Sequence, residues 1–400
     1  MTPARRLLAA RAAISLGQGA MGVDFALYAR ALGWAPARLG AVVGAGMLVG
    51  GVLTALAGPL SDRFGRKPFL LAYLLAVAGA CAAATLSARG AVVATAAIVA
   101  GFGRGAVGVP GLFGAVQQAW LADLAEGPGL GRAFTRNAAL GFLATAAGTF
   151  VGGMPALWDR FLPDMFPGPL AYRPLFALAA ATTLAAILLL AALPEPARPP
   201  AAPDAVESRA RAEENRLLWR LAGINAVNGV GIGLTGPLLS WWLAARFGVG
   251  PGRIGPAVGL VLLGSAGASL LAGRLGARFG LVRVVVAMRA LGVGLQVVMP
   301  FAPGFGWAMG AYAARTVLNR GTAGQRQAVV MGAVRGHRRG LAASIGGVST
   351  QLPRALGPLL AGLMFGAGWF AAPFLLAAAF QGAYLVLYRA VFRGREGRAA

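Results

Sequence analysis

Apolar residues recur along this chain in long runs, and most of the charge lies in the short segments between them. Twelve runs stand out, at roughly 8–30, 39–60, 68–88, 91–122, 133–156, 174–193, 217–243, 254–276, 281–301, 305–331, 341–366 and 369–391. A run of about 20 residues is what a helix needs to cross some 30 Å of hydrocarbon. Lipid offers the backbone no hydrogen bonds, so each run must satisfy its own, and a helix does that. The pattern predicts an all-α membrane protein of twelve transmembrane helices. The first run is too long, and too closely followed by others, to read as a cleaved signal peptide.

The break in the pattern at residues 194–216 begins Pro194-Glu195-Pro196-Ala197-Arg198-Pro199-Pro200 and has no apolar periodicity. It reads as a central linker. It separates an N-terminal bundle, 1–193, from a C-terminal bundle, 217–400, with six spans each. The two halves align without a gap at an offset of 215 residues. Gly33, Pro36, Arg38, Gly40 and Gly44 fall on Gly248, Pro251, Arg253, Gly255 and Gly259. Gly58, Leu60, Arg63, Phe64 and Gly65 fall on Gly273, Leu275, Arg278, Phe279 and Gly280. Two pseudo-symmetric six-helix bundles are therefore expected, an architecture that transporters use.

Composition agrees. The chain is 58% hydrophobic and 12% charged, against about 25% charged in soluble domains. The 61 glycines suit helices that pack closely in lipid. The net charge of +24, from 36 Lys+Arg and 12 Asp+Glu, raises the question of nucleic-acid binding. Distribution answers it. With the amino terminus inside, cytoplasmic segments hold 23 of the 36 basic residues, opposite loops hold seven, and six lie in or at the edges of spans. That bias follows the positive-inside rule and places both termini in the cytoplasm, with no nucleic-acid partner. Six of the eight tryptophans (Trp34, Trp158, Trp241, Trp242, Trp307 and Trp369) fall near the outer face, as an interfacial belt would. Enzyme chemistry finds no footing. His337 is the sole histidine and sits in a basic loop, Cys81 is the sole cysteine, and no phosphate-binding loop or His/Cys cluster occurs. Neither a metal nor a cofactor is expected.

One polar segment is distinctive. Gly58-Pro59-Leu60-Ser61-Asp62-Arg63-Phe64-Gly65-Arg66-Lys67 carries four charges in ten residues and joins runs two and three. It reads as a short hinge at a membrane face. Its G-x-x-x-D-R-x-G-R-K pattern resembles the signature between helices two and three of major facilitator superfamily transporters. With twelve spans and a repeat, the chain is similar to that family over essentially its whole length. The resemblance implies a cytoplasmic gating motif made of Gly58, Asp62, Arg63, Gly65, Arg66 and Lys67, a latch favouring the outward-facing state. In the second copy Asp62 becomes Ala277, so the latch would be one-sided. The alternative is that these charges only anchor a topological hinge.

Candidate site residues come from polar groups inside apolar runs, which are costly there and tend to be functional. Asp24 is the only acid well inside a span, and Tyr28 lies one turn on, on the same face. Asp24 is a candidate proton carrier, or a structural carboxylate paired with an arginine. Arg104 falls about 20 Å along span four at helical rise, where the family often carries an arginine. It is placed to attract an anionic solute, to act on Asp24, or to be satisfied by backbone carbonyls. Arg315 occupies the related place in span ten, with Asn319 one turn on. Asn225 and Asn228 in span seven, and Gln351 with Arg354 in span eleven, either contact solute or bond a neighbouring helix. Arg320 and Arg326 read as snorkelling, and Arg289 is ambiguous for the same reason. The Gly-Pro-x-x-Gly-Gly element of proton antiporters lacks its proline here, since span five has Gly148-Thr149-Phe150-Val151-Gly152-Gly153.

By resemblance, spans one, four, seven and ten line a central cavity. The expectation is a monomeric secondary transporter of a bacterial inner membrane. It would move a small organic molecule by alternating access, as proton-coupled efflux. Uptake or facilitated transport of an anionic metabolite is the alternative. A non-transporting sensor or scaffold on the same fold is the rival from another class.

Overall fold

A computed structural model describes residues 2–104, 111–124, 129–194, 208–322, 326 and 339–392. Among them every regular element is helical. The helices are α1 (Pro3–Ala31), α2 (Pro36–Phe64), α3 (Arg66–Leu86), α4 (Gly90–Ala100), α5 (Gly111–Leu124), α6 (Gly129–Val151), α7 (Pro155–Phe161) and α8 (Arg173–Ala191). There follow α9 (Ser208–Thr235), α10 (Leu239–Phe247), α11 (Pro251–Phe279), α12 (Leu281–Val298), α13 (Phe305–Gly321), α14 (Arg339–Arg354), α15 (Leu356–Gly366) and α16 (Ala372–Phe392). Seven helical stretches among the described residues are long and apolar enough to cross a membrane by themselves.

The repeat is visible in the backbone. Both α2 and α11 begin on a proline, Pro36 and Pro251, and each is 29 residues long. Proline suits the first turn because its missing N–H would find no helical partner there. Each helix stops against a glycine of positive φ, Gly65 at 91° and Gly280 at 89°. The side chain of any other residue would strain that conformation. The predicted hinge is therefore one residue wide. Asp62 and Arg63 lie on the last turn of α2 rather than in a loop, and their side chains lie outside the described residues, as does all of His337. The register also corrects one assignment. Because α4 begins at Gly90 and α13 at Phe305, the counterpart of Arg104 is Asn319, not Arg315.

Three predicted spans are broken. Span four stops at Ala100, and Gly101 and Gly103 take φ of 71° and 74°. Span seven turns at Gly236-Pro237 before α10, where proline removes a backbone donor. Span eleven breaks at Ala355, two residues after Pro353. The tryptophan belt is thinner than expected. Trp34, Trp241 and Trp242 are buried in protein, while Trp307 and Trp369 are exposed.

By contact the chain forms two compact units, and these are not the two repeat halves. The first comprises Met1–Arg198, Gly236–Leu263 and Pro358–Gly368. Within it α1 packs along α6 and α8, and α3 along α4 and α8. The approach is backbone to backbone. A Cβ on Gly19 would strike the Thr145 carbonyl, one on Gly148 the Leu16 carbonyl, and one on Gly40 the Pro358 carbonyl. In lipid such close packing, rather than hydrophobic transfer, holds helices together. An apolar cluster gathers Leu70, Phe113, Trp120 and Leu190 in this unit.

The second unit comprises Pro199–Thr235, Gly264–Gly357 and Trp369–Ala400. There α9 packs on α14 and α16, and α12 on α13 and α16. Gly229 meets the Thr350 carbonyl, and Gly357 meets Gly233. Its apolar cluster gathers Leu221, Ile224, Val285, Tyr384 and Tyr388.

Candidate coupling and binding sites

In the first unit Asp24 lies on the face of α1 that meets the end of α6. It is fully buried, at 0% exposure. Its carboxylate rests against Gly152, where a Cβ would collide with Oδ2. Helix α6 has just ended at Val151, and Gly152 begins the turn that follows. Neither carboxylate oxygen has a hydrogen-bond partner among the described residues. That is unusual, because a buried charge ordinarily keeps partners. Tyr28, one turn on, packs edge-on against Phe176 at 5.1 Å and beside Tyr172 at 5.6 Å. Its hydroxyl is buried and likewise has no partner among the described residues.

Arg104 does not lie along a continuous helix. It follows the two left-handed glycines, and its guanidinium folds back over Gly101 and against Gly50 of α2. Nη2 donates to the Gly46 carbonyl at 3.2 Å, and the side chain hydrogen-bonds Tyr73 of α3. Of the readings open from sequence, backbone satisfaction is the one the geometry realises in this conformation. No hydrogen bond or ion pair joins Arg104 to Asp24, which has none among the described residues. What links the two regions is aromatic. Phe25 touches Phe102 at 6.0 Å, and Phe102 touches Phe176 at 5.3 Å. The break in span four is covered from α1, where Gln18 Nε2 donates to the Ala100 carbonyl at 3.1 Å.

At the junction of α2 and α3 Lys67 has a definite task. Its Nζ donates to the carbonyls of Ala191 and Leu193, both at 2.7 Å. Arg6 Nη1 donates to Ala192 at 2.8 Å. Two cations thus satisfy carbonyls left open at the C-terminus of α8, where the helix dipole also favours positive charge.

In the second unit Arg289, ambiguous from sequence, is buried at 2% exposure. Nη2 donates to Asn228 Oδ1 at 2.7 Å, and the guanidinium lies 4.5 Å over the Tyr384 ring. Of the two readings for Asn228, bonding to a neighbouring helix is the one realised. Arg315 is buried, and its Nε has no partner among the described residues. Asn319 lies against Gly292, with Oδ1 also unpartnered. Asn225 lies beside Gly346, and Gln351 is half-buried on α14. Two amide pairs escaped the sequence reading. Gln117 and Asn137 join α5 to α6 at 2.8 Å, and Gln381 donates to Gln296 at 3.1 Å. Their only signal was amide side chains inside apolar runs. Among the described residues no group of acids, histidines and cysteines is placed to hold a metal.

A polytopic helical fold, a 215-residue backbone repeat and ionisable groups buried inside spans define a membrane carrier built by duplication. The family follows from direct comparison. The Major Facilitator Superfamily model matches residues 7–224 and 221–399, and the chain belongs to that family. It is a secondary transporter of this type, not an enzyme. Solved structures agree on the fold. A bacterial homologue of the human lysosomal transporter Spinster, inward-facing and occupied, superposes with a TM-score of 0.75 at 13% identity, covering 98% of each chain. The nucleoside transporter NupG gives 0.71 at 12% identity, covering 98% of this chain and 100% of its own. A D-xylose–proton symporter gives 0.68 at 16% identity, covering 94% and 96%. No curated protein sequence matches the chain.

Proposed function

We propose that this protein is a proton-coupled exporter of a small organic solute, with Asp24 as the proton carrier. The single observation that carries this reading is Asp24 itself, a fully buried carboxyl whose oxygens have no partner among the described residues. A permanently ionised carboxylate in that position would lack both a counter-ion and donors, and would be costly. A group that takes and releases a proton as its surroundings alternate would not. The D-xylose–proton symporter shows that the fold is compatible with proton coupling. In this reading the six-helix halves, 1–193 and 217–400, rock about a central cavity, and a proton enters from outside as solute leaves. The protein acts as a monomer in a bacterial inner membrane with both termini in the cytoplasm. Asp62, Arg63, Gly65 and Arg66 form the inner latch, with Lys67 fixing α3 to α8.

A ligand-stability screen of the purified protein across pH selects the solute, because a bound ligand raises apparent stability by mass action. Proteoliposomes loaded with that solute and a pH dye then test the coupling. Solute efflux by the wild type moves protons inward. Asp24→Asn abolishes that proton movement. Proton movement persisting at wild-type rate in Asp24→Asn would remove Asp24 from the mechanism.

A second reading, uptake of an anionic metabolite, is favoured by a different fact. No Asp or Glu occurs between Glu214 and Glu396.

A further inference from the structure

The far end of span five carries an exposed apolar face. Arg136–Phe161 is one apolar stretch of 26 residues, about 39 Å at helical rise. The hydrocarbon layer is some 30 Å thick. Counted from Arg136, the last two turns, which form α7, therefore reach the headgroup layer. The charges of Asp159, Arg160 and Asp164 agree with that depth. On the topology proposed above this is the outer leaflet.

The face is a matter of register. At about 100° per residue, Leu157, Trp158, Phe161 and Leu162 share one side of α7, within an arc of about 140°. Asp159 and Arg160 fall outside that arc. The chain keeps turning beyond the helix. Leu162 N–H donates to the Trp158 carbonyl at 2.8 Å, and the N–H groups of Met165 and Phe166 donate to the Leu162 carbonyl at 3.2 Å. Phe166 also packs on Trp158 at 5.9 Å. Leu157, Phe161, Leu162 and Met165 are all exposed, Phe161 at 68% and Met165 at 65%. The opposite side is fixed within the first unit. Ala156 rests on the start of α11, where a Cβ on Gly252 would meet its side chain at 2.9 Å. Pro155 beside it is buried. The apolar side of α7 therefore points away from the protein.

We propose that α7 and the turn to Met165 form a lipid anchor, with Leu157, Phe161, Leu162 and Met165 inserted at the boundary of headgroups and acyl chains. Four large apolar side chains turned to water would make a costly patch. At a membrane surface they are what an interfacial helix presents. With two acids against one arginine between Leu157 and Phe166, attachment rests on apolar burial and not on attraction to anionic headgroups. Gly152, three residues before α7, lies against the Asp24 carboxylate, so the anchor steadies the backbone beside the buried acid. It stands without the proton reading.

Spin labelling of the full chain in phosphatidylcholine nanodiscs, one copy per disc, tests the anchor. Cys81 is the sole cysteine, so a Cys81→Ala background accepts one nitroxide at Leu157→Cys, Phe161→Cys, Asp159→Cys or Arg160→Cys. Collisions with oxygen, which concentrates among acyl chains, are compared with collisions with a water-soluble nickel chelate. The oxygen-to-nickel ratio should be several-fold higher at Leu157→Cys and Phe161→Cys than at Asp159→Cys and Arg160→Cys. The first pair should lie about 5–10 Å into the boundary layer. Equal ratios on the two sides of α7 overturn the anchor. Low collision with both reagents at Leu157→Cys and Phe161→Cys would mean that protein covers the face, and overturns it too. Low collision that appears only in discs holding two copies would make a second copy the occupant in place of lipid. Asp24→Asn should leave the ratios unchanged, so failure of the proton reading and failure of the anchor give different results.

Discussion

The first copy of the repeat and the second share a backbone and differ in chemistry. Gly65 and Gly280 hold nearly the same φ, and α2 and α11 have the same length and the same opening proline. At matching positions the side chains diverge. Asp24 corresponds to Leu239, Asp62 to Ala277, Lys67 to Val282 and Arg104 to Asn319. The first copy keeps a buried acid, a broken span four and a lysine tied to α8. The second has no acid across 181 residues, an unbroken α13 and buried arginines. Duplication fixed the geometry of turns, which depends on backbone conformation. Polar chemistry was left free to diverge between the copies.

That comparison can be broken or sharpened at several points. The largest effect is expected at close helix contacts. Gly148→Leu should sharply reduce the amount of folded protein recovered after size-exclusion chromatography, because the new side chain meets the Leu16 carbonyl and Gly19. Overpacking of this kind typically costs about 1–3 kcal/mol or more. Next come the paired hinges. Gly65→Ala and Gly280→Ala should each lower stability by about 1–3 kcal/mol, since both put a Cβ into a glycine-only conformation. Markedly unequal losses in thermal unfolding would mean that the two copies do not share their backbone logic. Lys67→Ala should cost about 1–2 kcal/mol by leaving helix-end carbonyls unsatisfied. The effect should be reproduced in Lys67→Met, which keeps the stem and removes the donor. The smallest effect is expected at Asn319→Ala, within about 0.5 kcal/mol, because Oδ1 has no hydrogen-bond partner among the described residues. Arg104→Ala at the matching position should cost more, since it removes the donor to Gly46. Equal effects at Arg104 and Asn319 would erase the asymmetry of spans four and ten.

Much of this was legible in the residues. Run lengths revealed the membrane fold, and the offset of 215 found both the repeat and its glycine hinges. Asp24 stood out because no other acid lies well inside a span. The break in span four was not legible. Residues 91–103 carry no charge, and glycine is common in membrane helices, so Gly101 and Gly103 carried no warning. The partner of Arg289 was not legible either. Asn228 lies 61 residues away in sequence, and hydropathy reports depth in the bilayer rather than which face meets which neighbour. Arg289 stayed ambiguous in the sequence for that reason. The same blindness to facing put Trp34, Trp241 and Trp242 in the lipid belt.

The proposed role of Asp24 is tested most directly by one paired measurement on Asp24→Asn in proteoliposomes. Solute exchange with no pH gradient is compared with solute accumulation driven by a pH gradient. The account predicts that exchange continues near the wild-type rate while accumulation falls to the level of protein-free vesicles. Accumulation retained in Asp24→Asn, or exchange and accumulation lost together in a folded protein, would contradict it.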